Sequence, residues 1–349
     1  WFCSNVNADV IFALARTNPE VEGTKGLGIF LVEKTGPDGE QNDLGIVRLK
    51  DKLGTRSMAS GECKLNGTWG KLVGEPGQGF KIMTDMINLS RLYNSVAAVG
   101  GARRALAEAW TFLNHRSTFG QPMLKHALVR EKLTELGARH AAEQALTWRA
   151  IRALDAADTG NEEEAQRLRL ITPMVKRSTA AWAVYGCRES MELMGGLGYI
   201  EEGVVPKLLR DANVLPIWEG ACNIMLLDML RASAKSQGLP LLLQELHTEL
   251  PKAEEPIFME TLKELEGFLP SLMQMQDQDQ LQASCKPAFE RLTTLAQASA
   301  LLQYRNAETE AWVAPALAYL ASTLQPQSLA PRTPLSEEAI RGLIAWELA

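Results

Sequence analysis

Gly77-Gln78-Gly79-Phe80-Lys81-Ile82-Met83-Thr84-Asp85-Met86-Ile87-Asn88-Leu89-Ser90-Arg91 is the stretch in which the chain changes its period. From Ile82 onward apolar residues recur near helical spacing, at Met83, Met86, Ile87, Leu92, Val96 and Val99. Upstream, residues 10–15, 28–32 and 44–49 are short apolar runs, divided by turn clusters such as Thr35-Gly36-Pro37-Asp38-Gly39 and Asn66-Gly67. Nothing helical lies between these runs to carry a parallel crossover, so residues 1–75 read as antiparallel sheet. Gly74, Gly77 and Gly79 have neither Rossmann nor Walker spacing and read as a turn from sheet to helix.

Working outward from that switch, two long helical stretches follow at about 124–157 and 162–194, each long enough to be a bundle member. Asp158-Thr159-Gly160-Asn161 separates them as a helix-to-helix turn. A short helix near 206–211, with Pro206 in its first turn, leads through a loop to a helix over about 220–234. Beyond Gly238 the composition shifts to Leu, Gln and Glu, with Pro at 240, 251, 256, 270 and 287, and reads as several shorter helices. Residues 274–282 are polar and read as a loop. Residues 323–334, with three Pro, read as a linker before a last helix that Ser336 would cap. The fold class is α+β, mainly α, in three parts: 1–75, 76–235 and 236–349.

The composition fits this. The chain has 349 residues, 46% of them hydrophobic, with 36 Lys+Arg against 42 Asp+Glu and a net charge of −6. That aliphatic content and 16 scattered Pro exclude disorder, collagen and coiled coil. No apolar run reaches the roughly 18 residues of a membrane span. Cys3, Cys63, Cys187, Cys222 and Cys285 are odd in number and far apart, as expected of reduced thiols in a cytoplasmic setting. His115, His126, His140 and His247 have no ligand spacing, so no metal site is expected, and His115 and His140 read as polar helix-face residues. No Gly-x-Ser-x-Gly elbow is present. Residues 1–232 carry 28 basic and 27 acidic side chains, whereas residues 233–349 carry 8 and 15. That acidic balance speaks against binding DNA, which relies on Lys and Arg to neutralise phosphates. The chain opens on Trp1-Phe2-Cys3-Ser4, which reads as the inside of a strand, so a preceding portion is expected to be missing.

Three segments admit more than one reading. In His115-Arg116-Ser117-Thr118-Phe119-Gly120-Gln121-Pro122 a helix ends, and Arg116 either favours the helix dipole or clamps a pyrophosphate with its planar fork. In Met194-Gly195-Gly196-Leu197-Gly198-Tyr199 the glycines either cap a helix or let a flat, phosphorylated cofactor approach the backbone. In Ile217-Trp218-Glu219-Gly220-Ala221-Cys222-Asn223-Ile224 a carboxylate stands between an aromatic residue and a glycine before a helix. Glu219 is either a dipole-stabilised surface acid or a desolvated general base.

Together and in this order, these pieces resemble the acyl-CoA dehydrogenase family of flavoproteins. The likeness is carried by Phe2-Cys3-Ser4-Asn5, Lys52-Leu53-Gly54-Thr55-Arg56-Ser57, Gly77-Gln78-Gly79-Phe80 and Leu89-Ser90-Arg91. It continues through Arg116-x-x-Phe119-Gly120, the 194–199 glycines, Arg210-Asp211 and Trp218-Glu219-Gly220, and covers residues 1 to about 232. The 195–202 and 217–228 patterns are most similar to the AidB-like branch, as is a further helical domain at the C-terminus. The resemblance implies the second part of a middle antiparallel β-barrel, a four-helix bundle and a C-terminal helical extension. It implies FAD-dependent α,β-dehydrogenation of an acyl-CoA thioester.

Glu219 falls on the position of the base in most of the family. The minority position, just before Arg91, is held here by Ser90, which has no carboxylate. Arg91 and Gly220 fall on the substrate side; Arg91 read alone is also compatible with a helix-surface ion pair. Phe2, Ser4, Arg116, Phe119, Gly195, Gly196, Trp218 and Asn223 fall on flavin contacts, with Arg116 and Phe119 reaching a neighbouring subunit. A homo-oligomer (a dimer of dimers) and an electron-transferring flavoprotein as acceptor follow by the same resemblance. Ala127, Glu192, Ala221 and Asn223 depart from the polar residues common in the family and alter individual FAD contacts. The alternative from the AidB-like branch is a DNA-associated flavoprotein of the alkylation response.

Overall fold

Residues 2–325 and 335–345 are described by the computed structural model, without the side chains of Phe2, Cys3 and Ala345. They fall into two units, Trp1–Ser90 and Arg91–Ala349.

The first unit holds β1 (Phe2–Cys3), β2 (Val10–Arg16), β3 (Leu27–Glu33), β4 (Leu44–Leu49), β5 (Gly61–Leu65) and β6 (Lys71–Val73). They form two three-stranded antiparallel sheets, ordered β1-β5-β4 and β2-β3-β6. The apolar run at 28–32 is central because it pairs on both sides, to β2 from Val10↔Glu33 to Arg16↔Leu27 and to β6 at Ile29↔Val73. Ile29 and Val32 are buried accordingly. The β4–β5 ladder slips between Ile46 and Arg48, and β4 leaves Ile46, Val47 and Leu49 exposed. The sheet content is thus antiparallel as expected; no closed barrel forms among the described residues.

The three glycines at the switch divide their work. Gly74 and Gly77 turn the chain with φ of 71° and 82°. Gly79 opens helix α1 (Gly79–His115) at a backbone crossing, where a Cβ would stand 2.3 Å from the carbonyl carbon of Gly28 and 2.5 Å from the nitrogen of Ile29. Gly79→Ala is therefore expected to destabilise the first unit by about 3 kcal/mol, the upper end of ordinary overpacking. A lowered urea midpoint at unchanged slope is the measurement.

The second unit continues α1 and adds α2 (Ala127–Asp158), α3 (Glu162–Leu193), α4 (Gly196–Tyr199), α5 (Val205–Ala212) and α6 (Cys222–Lys235). The α2–α3 turn falls at 159–161 because Asn161 caps α3, its side chain accepting from the Glu164 amide at 3.1 Å. Glu162, Glu163 and Glu164 then meet the positive end of the helix dipole. α7 (Gly238–Glu249), α8 (Pro256–Met273), α9 (Gln278–Leu302), α10 (Glu310–Leu324) and α11 (Glu337–Ala345) complete the unit. Phe258, Phe289, Leu292 and Val313 from these helices share one continuous core with Leu133, Leu146, Ile171 and Met174 of α2 and α3.

Three sequence readings are corrected. Residues 278–282 are helix rather than loop, because Asp277 caps α9 by accepting from the amides of Asp279 and Gln280 and Leu281 reaches the core. His140 is buried rather than on a polar face; the Trp182 indole N–H donates to its Nδ1 at 3.4 Å, and burial pushes its pKa down to about 3. Of the linker expected at 323–334, residues 326–334 lie outside the described residues, while Thr323 and Leu324 still belong to α10. Ser336 caps α11 as expected, accepting from the Ala339 amide at 3.2 Å.

No described helix is long and apolar enough to cross a membrane. Cys63, Cys187, Cys222 and Cys285 are free thiols.

Candidate active site

A left-handed turn ahead of α6 sets the site. Glu219 takes φ of 57° and Gly220 φ of 100°. Glycine adopts this readily, whereas a glutamate held there is strained and persists only where its surroundings impose it. Two cations impose it from different helices. Arg91 of α1 donates from Nε to the Glu219 carbonyl oxygen at 3.0 Å, and Lys176 of α3 donates from Nζ to the Gly220 carbonyl oxygen at 2.5 Å. A Cβ on Gly220 would stand 2.6 Å from Met225 Cε, which would have to shift, and the φ of 100° is itself strained for any other residue. Trp218, just before the turn, donates its indole N–H to Asn94 Oδ1, one turn along α1 from Arg91.

Arg91 is held in its turn. Its Nη1 meets Asp228 Oδ2 at 2.7 Å, and Arg169 Nη2 meets Asp228 Oδ1 at 2.6 Å. The Asp228 side chain is 6% exposed and that of Arg91 12%, so this is a buried ion-paired group rather than a helix-surface pair. Burial alone pushes the Asp228 carboxyl up, but hydrogen bonds and charge from Arg169 and Arg91 outweigh it and leave it below its ordinary value. Glu219 differs. Burial pushes its carboxyl above the ordinary range, and the charges of Arg91 and Lys176 only partly oppose this. Lys176 is fully buried, and desolvation brings its ammonium down to about 8, with Arg91 pushing the same way and Cys222 and Glu219 opposing.

The geometry therefore joins five groups: a partly buried carboxyl, two main-chain grips, an aromatic flank and a buried counter-charge. Glu219, Trp218, Gly220 and Arg91 were legible in the sequence. Lys176, Asp228, Arg169 and Asn94 were not assigned roles there. The available signal for Lys176 was its place on a buried helical stripe with Thr172, Thr179 and Ala183.

The other expected site residues are placed as follows. Ser4 follows β1 and is exposed; its carbonyl accepts from Ser60 Oγ at 2.8 Å, and Ser60 Oγ in turn accepts from Lys52 Nζ at 3.1 Å. The Phe2 side chain lies outside the described residues. Arg116 is exposed directly after α1, and its carbonyl accepts from the Met123 amide at 2.9 Å. Phe119 sits at the tip of a two-residue hairpin, in left-handed conformation at φ of 49° and 96% exposed. Gly195 has φ of 60° and ψ of −141°, a conformation that is essentially reserved for glycine. A Cβ at Gly195 or Gly196 would meet nothing within 4 Å, so their backbone is presented bare. Asn223 is exposed in the first turn of α6. No hydrogen bond or ion pair among the described residues links Arg116, Phe119, Gly195 or Gly196 to the Glu219 group. Among those residues, too, no group of three or more His, Cys, Asp and Glu is arranged to hold a metal ion.

Residues 77–234 match the family model described as acyl-CoA dehydrogenase, C-terminal domain. The chain is 36% identical over 245 residues to acyl-CoA dehydrogenase family member 11 of Caenorhabditis elegans, covering 68% of this chain and 40% of that protein. It is 34% identical over 269 residues to the putative acyl-CoA dehydrogenase AidB of Escherichia coli (strain K12), covering 77% of this chain and 48% of that one. Among solved structures, Caenorhabditis elegans ACDH-11 in complex with C11-CoA superposes with a TM-score of 0.78 at 29% identity, over 100% of this chain and 58% of that chain. The chain thus spans less than half the length of the two curated relatives. The left-handed Glu-Gly turn, the helices that grip it and these matches lead to one assignment: the chain belongs to the acyl-CoA dehydrogenase family.

Proposed function

We propose that this protein catalyses the FAD-dependent α,β-dehydrogenation of an acyl-CoA thioester, with Glu219 as the base that removes the α-proton. One observation carries the reading: the Glu219 carboxyl is partly buried, raised in proton affinity by that burial, and mounted on a left-handed turn fixed through two consecutive main-chain carbonyls. A raised pKa makes the carboxylate a stronger base, and a fixed backbone limits the directions from which it meets a C–H bond. The acidity of that C–H comes from the adjacent thioester carbonyl. Trp218, anchored to Asn94, precedes the carboxylate in the chain, while Arg91 holds positive charge behind the turn.

The residues present fit FAD in kind. A guanidinium at Arg116, a bare glycine pair at 195–196 and a fully presented aromatic ring at Phe119 offer a phosphate contact, a close backbone approach and a flat apolar surface. Trp218 and Asn223 are assigned to the cofactor with them. FAD held there would supply the acceptor for the β-hydrogen, which would leave the substrate as hydride. Arg91 and Gly220 are assigned to the substrate side. A ring as exposed as Phe119 also supports assembly as a homo-oligomer, a dimer of dimers, in which it reaches a neighbour. An electron-transferring flavoprotein is the proposed acceptor, and the free thiols favour a cytoplasmic setting. The acidic balance of residues 233–349 opposes the alternative of a DNA-associated flavoprotein.

The test is anaerobic titration of the flavin-loaded protein with butyryl-, isobutyryl- and undecanoyl-CoA. Loss of the yellow absorbance with at least one is the expected result. An unbleached flavin with all of them rejects the reading.

A further inference from the structure

We propose that Lys176 is a positioning residue for Glu219, fixing the carboxylate-bearing turn through the Gly220 carbonyl and tuning the carboxylate with its buried charge. The proposal rests on the reading of Glu219 as the base.

A fully buried ammonium is costly, and the stripe on which Lys176 lies would be filled more cheaply by methionine, a side chain of similar length. What the lysine does with its charge separates function from filling. Its hydrogen bond goes 44 residues along the chain to the main-chain oxygen that follows Glu219, not to a carboxylate. Arg91 takes the preceding oxygen from the opposite helix. Two consecutive carbonyls are thereby held, that of the 219–220 peptide from α1 and that of the 220–221 peptide from α3, which fixes two adjacent peptide planes about Gly220 and with them the way the turn presents Glu219. With one grip alone, the other plane is free to rotate about the Gly220 backbone bonds.

The two cations are not equivalent. Arg91 is ion-paired to Asp228, which it shares with Arg169, and of the two cations it draws the Glu219 carboxyl down the more. Lys176 faces Glu219, Cys222 and Arg91, and its bonded partner is neutral. With no carboxylate bonded to it, its charge adds to that of Arg91 on Glu219, drawing the carboxyl's pKa down against the desolvation that raises it. Removing Lys176 releases the turn and moves the base's titration upward.

The experiment uses the flavin-loaded protein and an acyl-CoA that the wild type turns over, with Lys176→Met, Lys176→Arg and Glu219→Gln assayed side by side. Misplacement of a reacting group by about an ångström lowers a rate roughly 10²-fold. Lys176→Met is expected to keep its flavin, to lose about that factor in kcat with KM changed less than about threefold, and to show an acid limb shifted to higher pH. Lys176→Arg, which keeps charge and donors, is expected to recover part of the rate and return the limb toward the wild type. An unchanged kcat and limb in Lys176→Met overturns the proposal, as does a rate loss in which flavin content and Tm fall together while the limb stays put. Should Lys176→Met not fold, the limb and kcat of Lys176→Arg decide: both close to wild type supports the charge and donor as the requirement, and an unshifted limb with abolished rate overturns it. Glu219→Gln separates the two readings. If it still bleaches, the base assignment fails and this proposal with it; if it is dead while Lys176→Met is normal, this proposal alone fails.

Discussion

Glu219→Gln is expected to lower flavin reduction by acyl-CoA about 10³-fold, within the range general-base removal commonly gives, while leaving the flavin bound. The amide is isosteric but cannot accept the α-proton. Both grips on the turn fall on main-chain oxygens, so neither is lost with the carboxylate. Rapid-mixing absorbance measures the rate; reduction at the wild-type rate removes Glu219 from the mechanism. Two pH signatures accompany it. The base works only when ionised, and its pKa is raised by burial, so the wild-type rate should fall with acid at a pH above that of an ordinary glutamate. The raised pKa also means that a folded protein with Glu219 ionised bears a desolvation cost, absent below the unfolded pKa and complete once pH has risen through the folded one. Glu219→Gln escapes that cost. Its Tm at neutral pH should be no lower than that of the wild type, with the difference shrinking as pH falls.

Asp228→Ala is expected to be the most damaging single change to stability in the second unit, at about 3–5 kcal/mol. The carboxylate is the shared partner of Arg91 and Arg169, with Arg231 3.6 Å away, and its removal leaves the Arg91 guanidinium buried without its counter-charge. A urea midpoint shift measures the loss. Asp228→Asn, which keeps volume and part of the hydrogen bonding, should lose less. Because the folded carboxyl lies below its ordinary value, its stabilisation is present above the unfolded pKa and disappears as pH falls through the folded one. The wild-type and Asp228→Ala stabilities should therefore converge in acid. A variant as stable as the wild type at pH 7 would show that the ion-paired group does not hold α1, α3 and α6 together.

Local signals read well and long-range ones did not. The change of period after Gly79, the 158–161 turn and the cap at Ser336 each depend on residues a few positions apart, and each was legible. The Glu-Gly turn was legible as a motif, but its left-handed backbone was not, because the cause lies in Arg91 and Lys176, 128 and 44 residues away. Asp228 gave no sign of its role for the same reason; its partners are 137 and 59 residues distant. Residues 278–282 misled in the other direction. Their polar composition suggests a loop, yet a single cap at Asp277 and one buried Leu281 suffice to start a helix. His140 likewise carries no local mark of burial; it is enclosed by Trp182 from another helix.

The grips of Arg91 and Lys176 on main-chain oxygens have a consequence for how this fold changes over time. A device that holds the peptide group is indifferent to the side chain mounted on it. Position 219 is in this sense a socket: the residue it carries can be exchanged and the chemistry altered or silenced without unmaking the turn. Substitution at Gly220 has no such freedom, since its backbone, at φ of 100°, is one that only glycine adopts without strain. Variation along a lineage should accordingly be tolerated at 219 long after it has ceased to be tolerated one residue later.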